Sequence, residues 1–216
     1  MFVFNTQAWQ IRSLAVGAMQ TNCYFLSEKE EKKTLIIDPG DEGDFLSEQI
    51  LELQLQPQAI FFTHGHFDHV TGALPIWLNF SPRALPVFLD PHDTKLYARA
   101  TQTANHFSET TADPIIPVQK TQTWQKAVWQ KLFPHTDVEI IAAPGHTPGG
   151  VVLYFPSDHF AFVGDLLFAD GSVGRSDFAY SRHAQLQKSI QKIKSLPPET
   201  LILPGHGEAF TLANVL

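Results

Sequence analysis

One short stretch constrains this chain more than any other: Thr63-His64-Gly65-His66-Phe67-Asp68-His69, which sets four strong metal-binding side chains within six residues. It follows an apolar run, Ala59-Ile60-Phe61-Phe62, that reads as a short buried strand. If the chain stays extended as it leaves that strand, alternate residues share a face and His64 and His66 point the same way. Gly65 between them lets the backbone turn without crowding. Asp68 and His69 then fall where the chain bends into its next element, placed to face a second ion. Imidazole together with carboxylate suits zinc, iron or manganese better than calcium or magnesium. A polar surface loop would account for one histidine, not for three and an aspartate so closely spaced.

The rest of the composition narrows the setting. A chain of 216 residues with 44% hydrophobic and 17% charged residues can bury a sizeable core in one domain. A formal net charge of -7 disfavours a general binder of nucleic acid or anionic membrane. The single cysteine, Cys23, excludes an internal disulfide and reads as a core residue. Met1 to Ala8 lacks a basic segment followed by a long apolar one, and no run is long enough to span a bilayer. The expectation is a cytoplasmic protein with a small-molecule substrate and no obligate protein partner.

In chain order, Trp9 to Ala15 and Thr21 to Leu26 read as a hairpin turning around Gly17, and Glu28 to Lys33 as a solvated turn. Thr34 to Ile37 is a buried strand stopped by Asp38-Pro39-Gly40. Asp38 is either a ligand or a turn former. Asp44 is the expected N-cap of a helix whose inner face carries Phe45, Leu46, Ile50 and Leu53. Between Pro75 and His135 the pattern loosens, and aromatics are frequent (Trp77, Phe80, Phe88, Tyr97, Phe107, Trp124, Trp129, Phe133). They read as local packing, with a substrate-cleft wall as the alternative. Asp90-Pro91 opens a helix, with proline at its first position. His92, His106 and His135 are unclustered and expected at the surface.

Strand character returns at Val138 to Ala142, Val151 to Phe155, Phe160 to Val163 and Thr200 to Leu203, with a helix from about Arg182 to Ser195. Leu166 to Phe178 reads as an irregular loop. Turns at strand ends carry His146, Asp165 and His206, so four separated strand ends bear candidate ligands. Two sheets packed face to face with helices outside would collect those ends along one edge.

These residues resemble the metallo-β-lactamase-fold hydrolases, and within them the short bacterial glyoxalase II-like (hydroxyacylglutathione hydrolase-like) proteins. The matching stretches are Thr21-Asn22-Cys23-Tyr24, Asp38-Pro39-Gly40, Thr63 to His69, Pro144 to Gly149, Gly164-Asp165, Gly174 to Phe178 and Pro204-Gly205-His206-Gly207. The resemblance implies one α+β domain over residues 1–216, a four-layer αββα sandwich. It assigns His64, His66 and His146 to one metal ion and Asp68, His69 and His206 to another, with Asp165 bridging both. Full-length glyoxalase II enzymes continue into a helical region that supplies glutathione-binding residues. This sequence ends at Leu216, so much of a bound glutathione is expected to stay in solvent.

The same resemblance implies two transition-metal ions, zinc ahead of iron or manganese. Between them a water becomes acidic enough to give hydroxide near neutral pH, and the ions stabilise the oxyanion formed when it attacks a carbonyl. A thioester such as S-lactoylglutathione suits this chemistry, because a thiolate leaves with little protonation. Asp68 and Asp165 are the catalytic carboxylates expected on this reading, and Asp68 is placed to orient the nucleophile or take a proton. Arg175 is the cation available for a substrate carboxylate, unless it forms a buried pair with Asp177. Asp38 and Thr63 are expected to orient ligand histidines through hydrogen bonds. The alternatives are an iron-dependent persulfide dioxygenase using His64, His146 and Asp165, and a hydrolase of another small ester or thioester. A β-lactamase is disfavoured by acidic Asp165, where a thiolate often stands in that branch.

Overall fold

The computed structural model describes residues 2–80, 85–107, 111–134 and 136–216. The first sheet is built from β1 (Phe2–Asn5), β2 (Trp9–Val16), β3 (Thr21–Glu28), β4 (Lys33–Ile37), β5 (Gln56–Phe61), β6 (Val87–Phe88) and β7 (Thr121–Gln122), in that spatial order. Its first four strands pair antiparallel, and β4 to β7 run parallel. The hairpin expected around Gly17 is β2–β3, closed at Val16↔Thr21, with Gly17 in the left-handed region at φ 66°. The second sheet takes β8 (Glu139–Ala142), β9 (Val151–Phe155), β10 (Phe160–Gly164), β11 (Leu201–Pro204) and β12 (Phe210–Thr211) in the order β12-β11-β10-β9-β8.

Side-chain alternation along the strands divides the apolar interior into three layers. On β3, Tyr24 and Leu26 face the space between the sheets, while Cys23 and Phe25 face the first sheet's outer side. On β10, Phe160 and Phe162 point between the sheets, and Ala161 and Val163 point outward. The inter-sheet layer is aromatic: Trp9 meets Phe133 and Phe155 edge-on at 5.5 and 5.7 Å.

The first sheet's outer side is covered by α1 (Gly43–Glu52), α2 (Phe67–Val70), α3 (Ala73–Phe80), α4 (Thr94–Tyr97) and α5 (Ala100–Phe107). The segment α6 (Lys126–Leu132) closes the inter-sheet layer through Trp129. Helix α7 (His183–Lys194) covers the second sheet through Leu186, Ile190 and Ile193. The architecture is an αββα sandwich.

Several expectations are corrected. Helix α1 starts at Gly43 and is preceded by Glu42 at φ 51°, so Asp44 lies in the first turn and is not its cap. The start is set by close packing, since a Cβ on Gly43 would lie 2.2 Å from the Gly72 carbonyl oxygen. That phase buries Gly43, Leu46, Ser47 and Ile50, leaves Leu53 partly buried and turns Phe45 outward. Asp90 does cap with Pro91 next to it, but the element it opens is a 3-10 turn, Pro91–Asp93, which leads into α4. Of the aromatics between Pro75 and His135, Phe107 is exposed, Trp77, Phe80 and Tyr97 pack on the first sheet's outer side, and Phe88, Trp124, Trp129 and Phe133 pack between the sheets. His92 and His106 are exposed, and His135 lies outside the described residues. Among the described residues, no helix is long and apolar enough to cross a membrane.

Candidate metal centre

Asp38 follows β4, the Thr63–His69 stretch follows β5, Asp165 follows β10 and His206 follows β11. Because β4 and β5 are parallel, as are β10 and β11, each pair of strands delivers its loops to one edge. The two sheets are laced together at that edge by main-chain bonds: Asn22 donates to the Gly205 carbonyl at 2.7 Å and Val151 to that of Thr63 at 2.9 Å. Gly205 is required for close approach, since a Cβ there would stand 2.3 Å from Asp165 Oδ1.

All seven residues singled out from the sequence as ligands meet here, in one group of His64, His66, His146 and Asp165 and a second of Asp68, His69 and His206. His66 Nδ1 lies 3.2 Å from His64 Nε2 and 3.0 Å from His146 Nε2. Asp165 spans the groups: Oδ2 is 3.6 Å from His146 Nε2 and 3.5 Å from His206 Nε2, and Oδ1 is 3.4 Å from His69 Nε2. Asp68 Oδ2 sits 3.2 Å from His206 Nε2 and accepts from Thr21 Oγ1 at 3.1 Å.

The outer nitrogens decide what the inner ones carry. His146 Nδ1 donates to the Arg175 carbonyl at 2.7 Å, and His206 Nδ1 to that of Met19 at 3.1 Å. His69 Nδ1 donates to Asp38 Oδ2 at 3.0 Å. Thr63 Oγ1 spends its proton on Asp38 Oδ2 at 2.6 Å, so at 3.1 Å it can only accept from His64 Nδ1. These four rings, when neutral, therefore turn lone pairs inward. His66 Nε2 stands 2.8 Å from the Tyr180 hydroxyl, with Nδ1 inward. His69 Nε2 and Asp165 Oδ1 are buried without a hydrogen-bond partner. Inward lone pairs, two orphaned buried atoms and a mixed imidazole–carboxylate donor set fit a pair of transition-metal ions.

In the metal-free protein the same crowding is relieved by protons. Burial opposes charge on His69, but Asp165, Asp68 and Asp38 outweigh it and hold the imidazolium well above its ordinary range. Burial likewise opposes charge on His206, yet hydrogen bonding to Asp165 and Asp68 raises it to about 9. Burial, then His146, pushes His66 down to about 3, and burial, then His69, holds His64 well below its usual value. Asp165 and Asp68 are both depressed against the pull of burial, chiefly by His69.

A cavity of about 700 Å³ opens over the cluster, walled by Phe67, Phe107, Phe168, Phe178 and Tyr180, with Arg175 at its side. Phe67 and Phe107 stack at 5.7 Å and 8° on one flank, Phe178 and Tyr180 at 5.2 Å and 14° on another. The Arg175–Asp177 pair, weighed from the sequence as a buried alternative to a substrate contact, is exposed: the guanidinium bonds Asp177 at 3.0 and 2.8 Å and lies 4.5 Å over the Phe178 ring.

Sequence reasoning missed two residues. Asp93 is fully buried and accepts from Gly65 N–H at 2.9 Å and Gly149 N–H at 2.6 Å, tying the His64–His66 loop to the His146 loop. Its only sequence signal is an aspartate just inside a proline-opened turn. Tyr180 lies two residues beyond the Gly174–Phe178 loop and meets His66 across 114 positions, with no local signal.

A sequence profile described as the metallo-beta-lactamase superfamily matches residues 16–206. The chain is 33% identical over 206 residues to a hydroxyacylglutathione hydrolase, GloC, of Haemophilus influenzae, covering 94% of this chain and 93% of that one. It is 32% identical over 200 residues to a probable metallo-hydrolase, YqgX, of Bacillus subtilis, covering 91% and 89%. The crystal structure of TTHA1623 in a di-iron-bound form superposes with a TM-score of 0.80 at 35% identity, covering 94% of this chain and 96% of that one.

Proposed function

The chain belongs to the metallo-β-lactamase superfamily, and from that premise we propose that it is a metal-dependent hydrolase of thioesters such as S-lactoylglutathione. The observation that carries the reading is the convergence of inward lone pairs and unpartnered atoms on the space around Asp165. His64, His66, His146 and Asp165 would hold one ion, and Asp68, His69, His206 and the shared Asp165 the other. When bound, such a pair supplies Lewis acidity toward a carbonyl oxygen and lowers the pKa of water from 15.7 to about 7. Zinc fits the donor set, and so does iron, which the similar TTHA1623 is described as binding.

The protein's own residues account for the rest. Asp38, Thr63 and the carbonyls of Arg175 and Met19 fix the tautomers of His69, His64, His146 and His206, so those four rings need not reorient. Thr21 holds the Asp68 carboxylate, which is depressed enough to stay ionised and able to take up the proton released when water attacks. The aromatic walls offer the substrate an apolar surface beside the candidate ligands. A thiol of pKa about 8.5 leaves as thiolate without a dedicated acid. Arg175 stands at the cleft as the cation for a substrate carboxylate, a role that would draw it from its exposed, solvent-screened pair with Asp177. The GloC relative supports an acyl-glutathione as that substrate.

The discriminating experiment supplies metal-replete protein with S-lactoylglutathione, and separately with glutathione persulfide under oxygen. Thioester cleavage without oxygen uptake is expected. Oxygen consumption with no cleavage would replace the hydrolase with the dioxygenase.

A further inference from the structure

We infer that Tyr180 is a positioning residue for the first ion, setting the His66 ring from the wall of the cleft; this rests on the metal centre proposed above. Four of the five imidazoles have their outer nitrogens tied to main-chain carbonyls or to the buried Asp38–Thr63 pair. His66 alone is held by a side chain that lines the cavity, with the Tyr180 hydroxyl 2.8 Å from Nε2. Among the described residues, Tyr180 is the one hydrogen-bond partner of that outer nitrogen. His66 stands just ahead of α2 with extended backbone, φ -70° and ψ 147°, and is only partly buried. Its remaining ring contacts are edge-on, to His146 at 4.6 Å, His64 at 4.8 Å, Phe178 at 5.5 Å and Tyr180 itself at 5.9 Å.

The hydroxyl is itself well anchored. Tyr180 stacks on Phe178, and Phe178 is covered by the Arg175 guanidinium. The Arg175 carbonyl accepts from His146 Nδ1, and Ser181 Oγ donates to the His146 carbonyl at 2.6 Å. Arg182 N–H bonds the Gly145 carbonyl at 2.8 Å. One strap, residues 174–182, thus orients the outer nitrogens of both His66 and His146, whose inner nitrogens lie 3.0 Å apart. By accepting from Nε2–H, the hydroxyl leaves the His66 lone pair on Nδ1, facing inward. Without it, Nε2 faces the open cleft, and the proton can move to Nδ1, toward the His64 and His146 lone pairs at 3.2 and 3.0 Å, where it would compete with the ion.

Losing such a partner typically weakens metal affinity about 10–100-fold. Asp68, His69 and His206 make no hydrogen bond to Tyr180, so the loss should fall on one ion of two. The test is Tyr180→Phe, which removes only the hydroxyl. Metal-free parent and variant are titrated with zinc against a chromophoric chelator, with thermal midpoints of both metal-free proteins alongside. The parent should take up two ions. The variant should hold one as the parent does and the other about 10–100-fold more weakly, at an unchanged metal-free midpoint. Unchanged affinity for both ions overturns the role, including the case where only KM for a thioester rises and Tyr180 is merely a substrate contact. Equal weakening of both ions with a lowered metal-free midpoint also overturns it, as a structural effect. A parent that binds no ion refutes the metal centre itself, and this role with it.

Discussion

At the scale of single residues, Asp38 does much of the arranging. At φ 48° it occupies the left-handed region, which aspartate tolerates better than most residues. From there its oxygens accept from Thr63 N–H at 2.7 Å, Thr63 Oγ1 at 2.6 Å and His69 Nδ1 at 3.0 Å. Asp38→Asn keeps one acceptor and sets an amide against the other donors. Affinity for the ion at His69 should fall about 10–100-fold in a chelator competition. Undiminished affinity would return Asp38 to the role of a turn former. Protonation separates the two ions as well. His206, raised to about 9, carries a proton in the metal-free protein at neutral pH, and an ion must displace it. As pH falls below about 9, affinity for this ion should weaken by up to about tenfold per unit for each proton displaced, one from His206 and one from the His69 imidazolium. His66, pushed down to about 3, imposes no such competition between pH 6 and 9. Calorimetric titration in two buffers of different ionisation enthalpy should show protons released with the second ion. Uptake without proton release would contradict the assignment of His206.

At the scale of elements, α1 shows where the sequence pattern misleads. Phe45 and Leu46 both suit an inner face, but the Gly43–Gly72 contact sets the phase, so Leu46 is buried and Phe45 is 42% exposed. Leu46→Ala should cost about 2–5 kcal/mol in denaturant unfolding. Phe45→Ala should stay within about 0.5 kcal/mol, and the reverse order would contradict this packing. The strands were legible because their signal is local: an apolar run ended by Asp-Pro-Gly, Pro-Gly-His or Gly-Asp announces both a buried strand and its site-bearing end. The candidate ligand cluster was legible for the same reason, since four of its members fall within six residues. Asp93 and Tyr180 were not, because each acts at a distance, Asp93 across 28 and 56 positions and Tyr180 across 114. A lone buried aspartate looks in sequence like any other turn aspartate. The phase of a helix set by two glycines is hidden in the same way.

At the scale of the whole molecule, the sandwich exists to bring two sheet edges together. The first sheet contributes Asp38, His64, His66, Asp68 and His69, and the second His146, Asp165 and His206. Neither set closes a two-ion site alone, since Asp165 reaches toward both groups. Asp93 and the Asn22 bonds to the Pro204 and Gly207 carbonyls at 3.0 and 2.8 Å clamp the halves from either side. If both ions serve one reaction, turnover must track occupancy of the complete site. The direct measurement is thioester hydrolysis by metal-stripped protein as zinc or iron is returned in known equivalents. Cleavage should rise to a plateau at two ions per chain. A full rate at one equivalent, or two ions bound with no thioester cleaved, would contradict the two-ion hydrolase.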